Sequence, residues 1–349
     1  MMENLVANRI KNARILKSYS QQYVADELGI SKQMVSKYEN GDALPTSSRF
    51  LKLSKLFGLK VDYFFNSFHI ELGEVNFRKK SSFSQKKQNS LKEQIKINLE
   101  NYIWIEDILS IDYSFKNIIK NFKIDSCDDV EKAVSKLRKN WNIGIDPIHN
   151  IIQLLEDKEI KVIELYDADE KFDGLATYVN DKFPVIVVNG NFPVERKRFT
   201  LLHELGHLLL NLPDCEVKKE ENYCNNFASE FLFPREIVIN EFGGKRNHIT
   251  LTELISLQEK YGISIPAIVY RLVDAGILSK QQHSNFYKKT RFNLPLNKEV
   301  NQSRFKTPEK SNRFERLVYR ALAQEIISFS KATSLLNKNI ETIKESSLI

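Results

Sequence analysis

Arg198-Phe199-Thr200-Leu201-Leu202-His203-Glu204-Leu205-Gly206-His207-Leu208-Leu209-Leu210 is the stretch on which the reading of this chain turns. Its apolar residues recur at helical spacing, and within them stands His-Glu-x-x-His. Residues four apart on an α-helix lie about 40° from alignment on one face, so His203 and His207 can present two imidazoles to one cation. Glu204 sits one turn before His207 on an adjoining face. A carboxylate there is badly placed to ligate the same ion but well placed to take a proton from a water held on it and pass it to a leaving amine, the role of a general base.

A catalytic zinc site needs a third protein ligand and one open position. His69, His149, His248 and His283 stand in no ligand-like motif. Downstream, Glu220-Glu221-Asn222-Tyr223-Cys224-Asn225-Asn226-Phe227-Ala228 reads as a second helix with an apolar stripe through Tyr223, Phe227 and Phe231. Glu221 is the acid assigned to the metal. Its rivals are Glu220, one residue out of register, and Cys224, which could offer a thiolate or simply be a small buried residue.

Ahead of the first helix, Ile160–Leu165 and Pro184–Asn189 are β-branched runs bounded by Asp, Gly and Asn, which predict strands. Leu91 to Leu109 predicts a helix, and Ser126 with Glu131 begins another that runs through Leu137 and ends near Trp141 and Asp146-Pro147. Phe172 and Tyr178 could face a substrate, although aromatics in strands are mostly core.

Here FDGLATYVN, PVIVVN, RFTLLHELGHLLL and EENYCNNFASEFLFP resemble the ImmA/IrrE metallopeptidases. In that family the third ligand is a glutamate three residues before a Cys or Ala followed by Asn, a pattern that Glu221, Cys224, Asn225 and Phe233-Pro234 fit. The flanks EKAVSKLRKNWNIGIDPIHNIIQLLEDKEIKVIEL and YGISIPAIVYRLVDAGILS are similar to segments that bracket the domain in longer members. The resemblance implies a zincin-like core, a site of His203, His207 and Glu221 holding Zn2+, with Mn2+ as an alternative, and Glu204 as catalytic base. It further implies site-specific endoproteolysis of a partner, usually an Xre-like repressor.

From about Val6 to Phe65, short helical segments are separated by Ser18-Tyr19-Ser20, Gly29-Ile30-Ser31, Asn40-Gly41 and Gly58, which predicts a bundle of about five helices. Ser20 and Ser31 can each cap a helix, with Gly29 at the turn between them. On the second helix Val35 and Tyr38 lie inward. Lys32, Gln33, Ser36 and Lys37 point outward as donors for base edges and phosphates, and Gln21 could hold a phosphate. Ala13-Arg14, Ser20-Gln21, Ala25, Gly29-Ile30-Ser31, Val35-Ser36, Tyr38-Glu39-Asn40-Gly41 and Pro45 resemble the Xre/Cro-type helix-turn-helix. That resemblance implies a structural ion pair between Arg14 and Glu39. A similar-looking run, Ile327–Leu336, reads as a packing helix rather than a second DNA reader.

The expected fold is multi-domain and mainly α with a small β-sheet (α+β). Its parts are a five-helix DNA-binding module (1–66), a polar basic linker (67–90), a helical connector (91–125), the metallopeptidase domain (126–282), a polar linker (283–312) and a C-terminal helical unit (313–349). The linkers rest on Arg78-Lys79-Lys80-Ser81-Ser82, Gln85-Lys86-Lys87-Gln88, Lys288-Lys289, Pro295 and Pro308.

With 349 residues, 42% hydrophobic and 28% charged, the chain has the composition of folded globular proteins. A net charge of +7 leaves room for a polyanionic partner without requiring one. Three cysteines, Cys127, Cys215 and Cys224, rule against a disulfide scaffold and favour a reducing compartment. Neither a signal-peptide core nor a membrane-length apolar run is present, so a soluble cytoplasmic protein is expected. The partners expected are double-stranded DNA, a protein substrate and, as a homodimer, a second copy of the chain, with no membrane. Two other classes compete: a transcription factor whose peptidase-like domain is an inactive sensor, and a component of a toxin-antitoxin-like pair.

Overall fold

A computed structural model of the chain describes residues 2–67, 70–73, 84–213 and 215–346. His69 and the run Arg78–Ser82 lie outside the described residues. Two compact units emerge. The first comprises Met1–Tyr113, Val179–Asp181 and Asn312–Ile349, the second Ser114–Tyr178 and Lys182–Ser311. The architecture is mainly helical with one small sheet, the fold class expected from sequence.

In the first unit, α1 (Met2–Leu16), α2 (Gln21–Leu28), α3 (Lys32–Asn40), α4 (Ser47–Phe57) and a 3-10 turn at Val61–Phe65 form the N-terminal bundle. Ser20 and Ser31 cap α2 and α3 by accepting from the backbone amides of Tyr23 and Met34, and Gly29 closes α2 at φ 64°. The stripe Val6, Ile10, Val24, Val35, Tyr38, Leu53, Phe57 and Phe64 forms the core. The fifth helix of the sequence reading is thus a single 3-10 turn.

The expected connector is a 24-residue helix, α5 (Gln85–Ile108), which begins inside the stretch read as linker, so Lys86 and Lys87 lie in its first turn. Its apolar positions Leu91, Ile95, Leu99, Tyr102 and Ile105 are buried. Against α1 it forms the buried Arg9–Glu100 ion pair at 2.7 Å, and Arg9 also donates to the Asn66 carbonyl. The expected C-terminal unit is part of the same body, since Phe314 packs edge-on to Tyr102, Arg313 pairs with Glu106 at 3.1 Å, and Lys331 lies over the Trp104 ring.

The second unit contains α6 (Cys127–Asn140), α7 (Ile151–Asp157), β1 (Lys161–Leu165), β2 (Gly174–Val179), β3 (Phe183–Asn189), α8 (Val194–Leu209) and α9 (Val217–Leu232). The helices α10 (Arg235–Phe242), α11 (Leu251–Tyr261), α12 (Ile265–Asp274), α13 (Lys280–Phe292) and α14 (Leu294–Asn301) follow. The first unit resumes with α15 (Arg313–Ala323), α16 (Phe329–Leu336) and α17 (Ile340–Glu345). Sheet order is β1-β3-β2, with β1 and β3 parallel and Ile163 opposite Val187. A tight turn through Asn180 and Asp181, both at positive φ, joins β2 to β3. The α6 capping box pairs Ser126 with Asp129, not with Glu131, which instead reaches Arg271 at 3.0 Å.

Residues 283–312 are not a linker. Most of α13, all of α14 and an extended strap after it belong to this stretch, and the strap is pinned by acidic anchors. Glu195 accepts from the Ser303 hydroxyl and the Arg304 and Phe305 amides, while Glu309 is buried against Arg198. The polar residues that read as solvent-facing are spent on these internal bonds. Among the described residues no helix is long and apolar enough to cross a membrane.

Candidate metal centre and helix-turn-helix surface

Pro193 immediately precedes α8, and Leu201, Leu202, Leu205 and Leu209 bury one side of the helix against β3 and α9. Two glycines permit close approaches. A Cβ on Gly206 would lie 3.3 Å from the Cα of Cys224, so α8 and α9 cross almost backbone to backbone. A Cβ on Gly174 would lie 2.8 Å from Thr200 Cγ2 and 3.3 Å from Glu204 Cγ, so the start of β2 rests directly on the flank of Glu204.

The α8–α9 crossing brings Glu221 to the two histidines. His203 Nε2 lies 3.2 Å from His207 Nε2, and Glu221 stands 3.5 Å from the first and 3.6 Å from the second. The ligand atoms of these three residues all fall within 4.8 Å of one another, and they are the group among the described residues with the donor set and spacing to hold an ion. Two imidazole nitrogens and a carboxylate oxygen are the donors of a three-ligand zinc site.

The other ring nitrogens are held from α9. Asn225 Oδ1 lies 2.9 Å from His203 Nδ1, and Glu220 Oε1 lies 2.9 Å from His207 Nδ1. Both contacts leave the Nε2 atoms directed at Glu221. Glu220, a rival ligand on sequence, therefore orients His207. Cys224, the other rival, is fully buried with its sulfur against Gly206, where it serves the helix crossing. Glu204 is buried on the same helix as the histidines. Phe172 is core. Tyr178 is half-buried beneath the end of α8, where its hydroxyl contacts the Leu208 carbonyl at 3.5 Å, and burial pushes its pKa up, so it stays protonated.

On the N-terminal bundle, Lys32, Gln33 and Lys37 are exposed on α3 and Ser36 is half-buried. Val35 and Tyr38 face the core. Arg14 grips Glu39 in a two-pronged ion pair at 2.6 and 2.9 Å. The Gln21 amide also donates to Glu39, at 2.9 Å, so its nitrogen is engaged inside the module rather than offered outward.

Residues 10–64 match the helix-turn-helix family, and residues 155–273 match the IrrE N-terminal-like domain. The chain belongs to the helix-turn-helix family and carries, in addition, an IrrE-like domain.

Two curated relatives match the helix-turn-helix. The chain is 39% identical over 67 residues to the SPbeta prophage-derived uncharacterized HTH-type transcriptional regulator YonR of Bacillus subtilis (strain 168), covering 19% of this chain and 62% of that protein. It is 33% identical over 55 residues to the uncharacterized HTH-type transcriptional regulator YgzD of the same organism, covering 16% of this chain and 83% of that protein. The chain thus spans less than two thirds of the first relative.

Sequence reading missed what surrounds the IrrE-like site more than the site itself. Glu220 was visible as a neighbouring acid but not as the partner of His207. Arg198, at the head of the decisive stretch, is fully buried and donates to the carbonyls of Ile148, His149, Tyr261 and Gly262 as well as to Glu309. It follows Glu195-Arg196-Lys197 in sequence, so nothing local distinguished it from a solvent-facing charge. The run at Ile327–Leu336 forms α16, capped by Ser328, with α17 capped by Asn339 eleven residues later, the same spacing as Ser20 and Ser31. The second helix of this pair bears Glu341 and Glu345, charges unsuited to a phosphate backbone.

Proposed function

We propose that the chain is a cytoplasmic DNA-binding transcriptional regulator with zinc-dependent endopeptidase activity, which cuts a repressor or other regulatory partner protein at a specific site. The observation that carries this reading is the approach of His203 Nε2, His207 Nε2 and Glu221 to within 3.2 to 3.6 Å of one another at the α8–α9 crossing. The donor set fits zinc, and manganese is the alternative at such a site.

When bound, zinc supplies Lewis acidity that polarises a scissile carbonyl and makes water a better nucleophile at neutral pH. The chain supplies the rest. His203, His207 and Glu221 hold the ion, and Asn225 and Glu220 fix the orientation of the rings. Glu204, one turn before His207, takes the proton of the attacking water and returns it to the leaving amine.

The helix-turn-helix presents Lys32, Gln33, Ser36 and Lys37 to double-stranded DNA, in keeping with the regulator names of the relatives. Tethering on DNA raises the local concentration of the peptidase near a DNA-bound repressor, so a loose substrate preference still yields selective cleavage.

Elemental analysis of the purified chain tests the centre. About one equivalent of metal is expected in the wild type, as for a three-ligand zinc site with one open position. His207→Ala and Glu221→Ala should lose it, and Glu204→Gln should retain it while failing to cut the partner. Absence of metal even after zinc or manganese addition would overturn the peptidase. Normal regulation by the Glu204→Gln variant would instead favour a sensor.

A further inference from the structure

The helix α13 carries Lys280, Lys288, Lys289 and Arg291 and no acidic residue. Its buried side is marked by Thr290, with Phe286 packed against the core. On the outer side two rows alternate in chemistry. Tyr287 is followed one turn later by Arg291, and Lys288 by Phe292, so each row pairs a ring with a cation. Lys280 extends the first row two turns back.

The rings are offered to solvent. Tyr287 is 45% exposed and Phe292 82%, the latter among the most exposed large apolar side chains described. His283 lies 4.8 Å from the Tyr287 ring and 6.0 Å from that of Tyr270, which is itself exposed on α12. The buried Nε2 of His283 has no hydrogen-bond partner among the described residues, so packing between rings is what holds it.

None of the four cations has a carboxylate within ion-pair distance among the described residues. The acids on neighbouring helices are engaged elsewhere, Asp274 with Arg271 and Glu299 with Arg304. Arg291 lies over the Phe292 ring at 6.0 Å, so the exposed face sets rings beside cations that have no carboxylate partner among the described residues.

We propose that this face of α13 binds single-stranded nucleic acid. Tyr287 and Phe292 stack on unpaired bases while Lys280, Lys288 and Arg291 follow the phosphates. Duplex DNA hides its base faces, so the surface discriminates against the form that the helix-turn-helix reads. The site is separate from the proposed metal centre and does not depend on it.

The test is fluorescence anisotropy of the full chain with labelled oligo(dT) of about 20 nucleotides, long enough for a single binding face, and with a duplex of equal length. Lys288→Ala/Arg291→Ala should weaken oligo(dT) binding about tenfold and lower the slope of log K against log salt by about 1.4 for two lost phosphate contacts. Tyr287→Ala/Phe292→Ala should weaken it about as much with the salt slope unchanged, since stacking releases no counterions. All four side chains are exposed, so unaltered thermal unfolding is expected and serves as the folding control. Lys32→Ala/Lys37→Ala, on the helix-turn-helix, should reduce duplex binding and spare oligo(dT), and Glu221→Ala should leave both intact. The proposal is overturned if the α13 variants bind oligo(dT) within about twofold of wild type, if the Lys32/Lys37 pair abolishes that binding, or if α13 engages only vesicles containing phosphatidylserine.

Discussion

Arg198 donates to Glu309 across 2.6 Å, and neither side chain is reached by solvent. The bond ties the helix of the His-Glu-x-x-His motif to a strap more than a hundred residues later. Both charges are fully served, because Arg198 also reaches four backbone carbonyls and Glu309 accepts from the Ile152 amide at 2.8 Å.

Removing one partner of a buried, fully bonded pair strands the other charge away from water. Glu309→Ala should therefore cost about 3–5 kcal/mol in urea denaturation. Glu309→Gln, which keeps a hydrogen-bonding oxygen at that position, should cost less than Glu309→Ala. Equal losses would mean that the charge of Glu309, rather than its hydrogen bonds, carries the contribution.

Glu195 anchors the same strap and makes stability fall in acid. Burial alone would push its pKa up, but the hydrogen bonds from Ser303, Arg304 and Phe305 outweigh this and hold it below the ordinary glutamate range. A depressed folded-state pKa stabilises the fold above the unfolded value, and that contribution is lost as pH falls through the folded one. Denaturation midpoints should thus drop from about pH 4.5 downward in the wild type. Glu195→Gln should be less stable at neutral pH and show a flatter acid limb; parallel curves would exclude this role.

The contacts of Glu220 and Asn225 with the two Nδ1 atoms predict an effect on metal affinity separable from ligation. Competition with a zinc-binding dye should show Glu220→Gln and Asn225→Ala weakened about 10–100-fold, against complete loss in His207→Ala. Affinity unchanged in both would leave the rings oriented by the helix alone.

On the helix-turn-helix, Lys37→Ala should weaken duplex binding evenly across sequences and reduce the salt slope by about 0.9. Gln33→Ala should cost about 1–3 kcal/mol at one base pair and leave that slope alone. Gel retardation at several salt concentrations with scrambled sites separates the two. An even loss from Gln33→Ala would place that side chain on the backbone.

Local chemistry was legible in the sequence. The caps Ser20 and Ser31, the inward Val35 and Tyr38, the Arg14–Glu39 pair and the run from His203 to His207 all follow from interactions spanning a turn or two, or from a family resemblance that encodes them. The boundaries of α5 and the strap through Glu309 did not, because each depends on a partner far along the chain, and β2 was not read although its partner β3 follows after a tight turn. Lys and Ser beside an apolar helix read as linker until α1 is there to cover α5, and Glu309 reads as solvent-facing until Arg198 takes it out of water.

The same division runs through the candidate site. Helical periodicity by itself determined that two imidazoles share a face with a carboxylate beside them, since that geometry is a property of one helix. Only the tertiary structure set where Glu221, Glu220 and Cys224 each point, because the three lie close together on α9 and differ in how that helix crosses α8. With Gly206 set against Cys224, that crossing turns Glu221 toward both Nε2 atoms, Glu220 toward a ring edge and the thiol into the core.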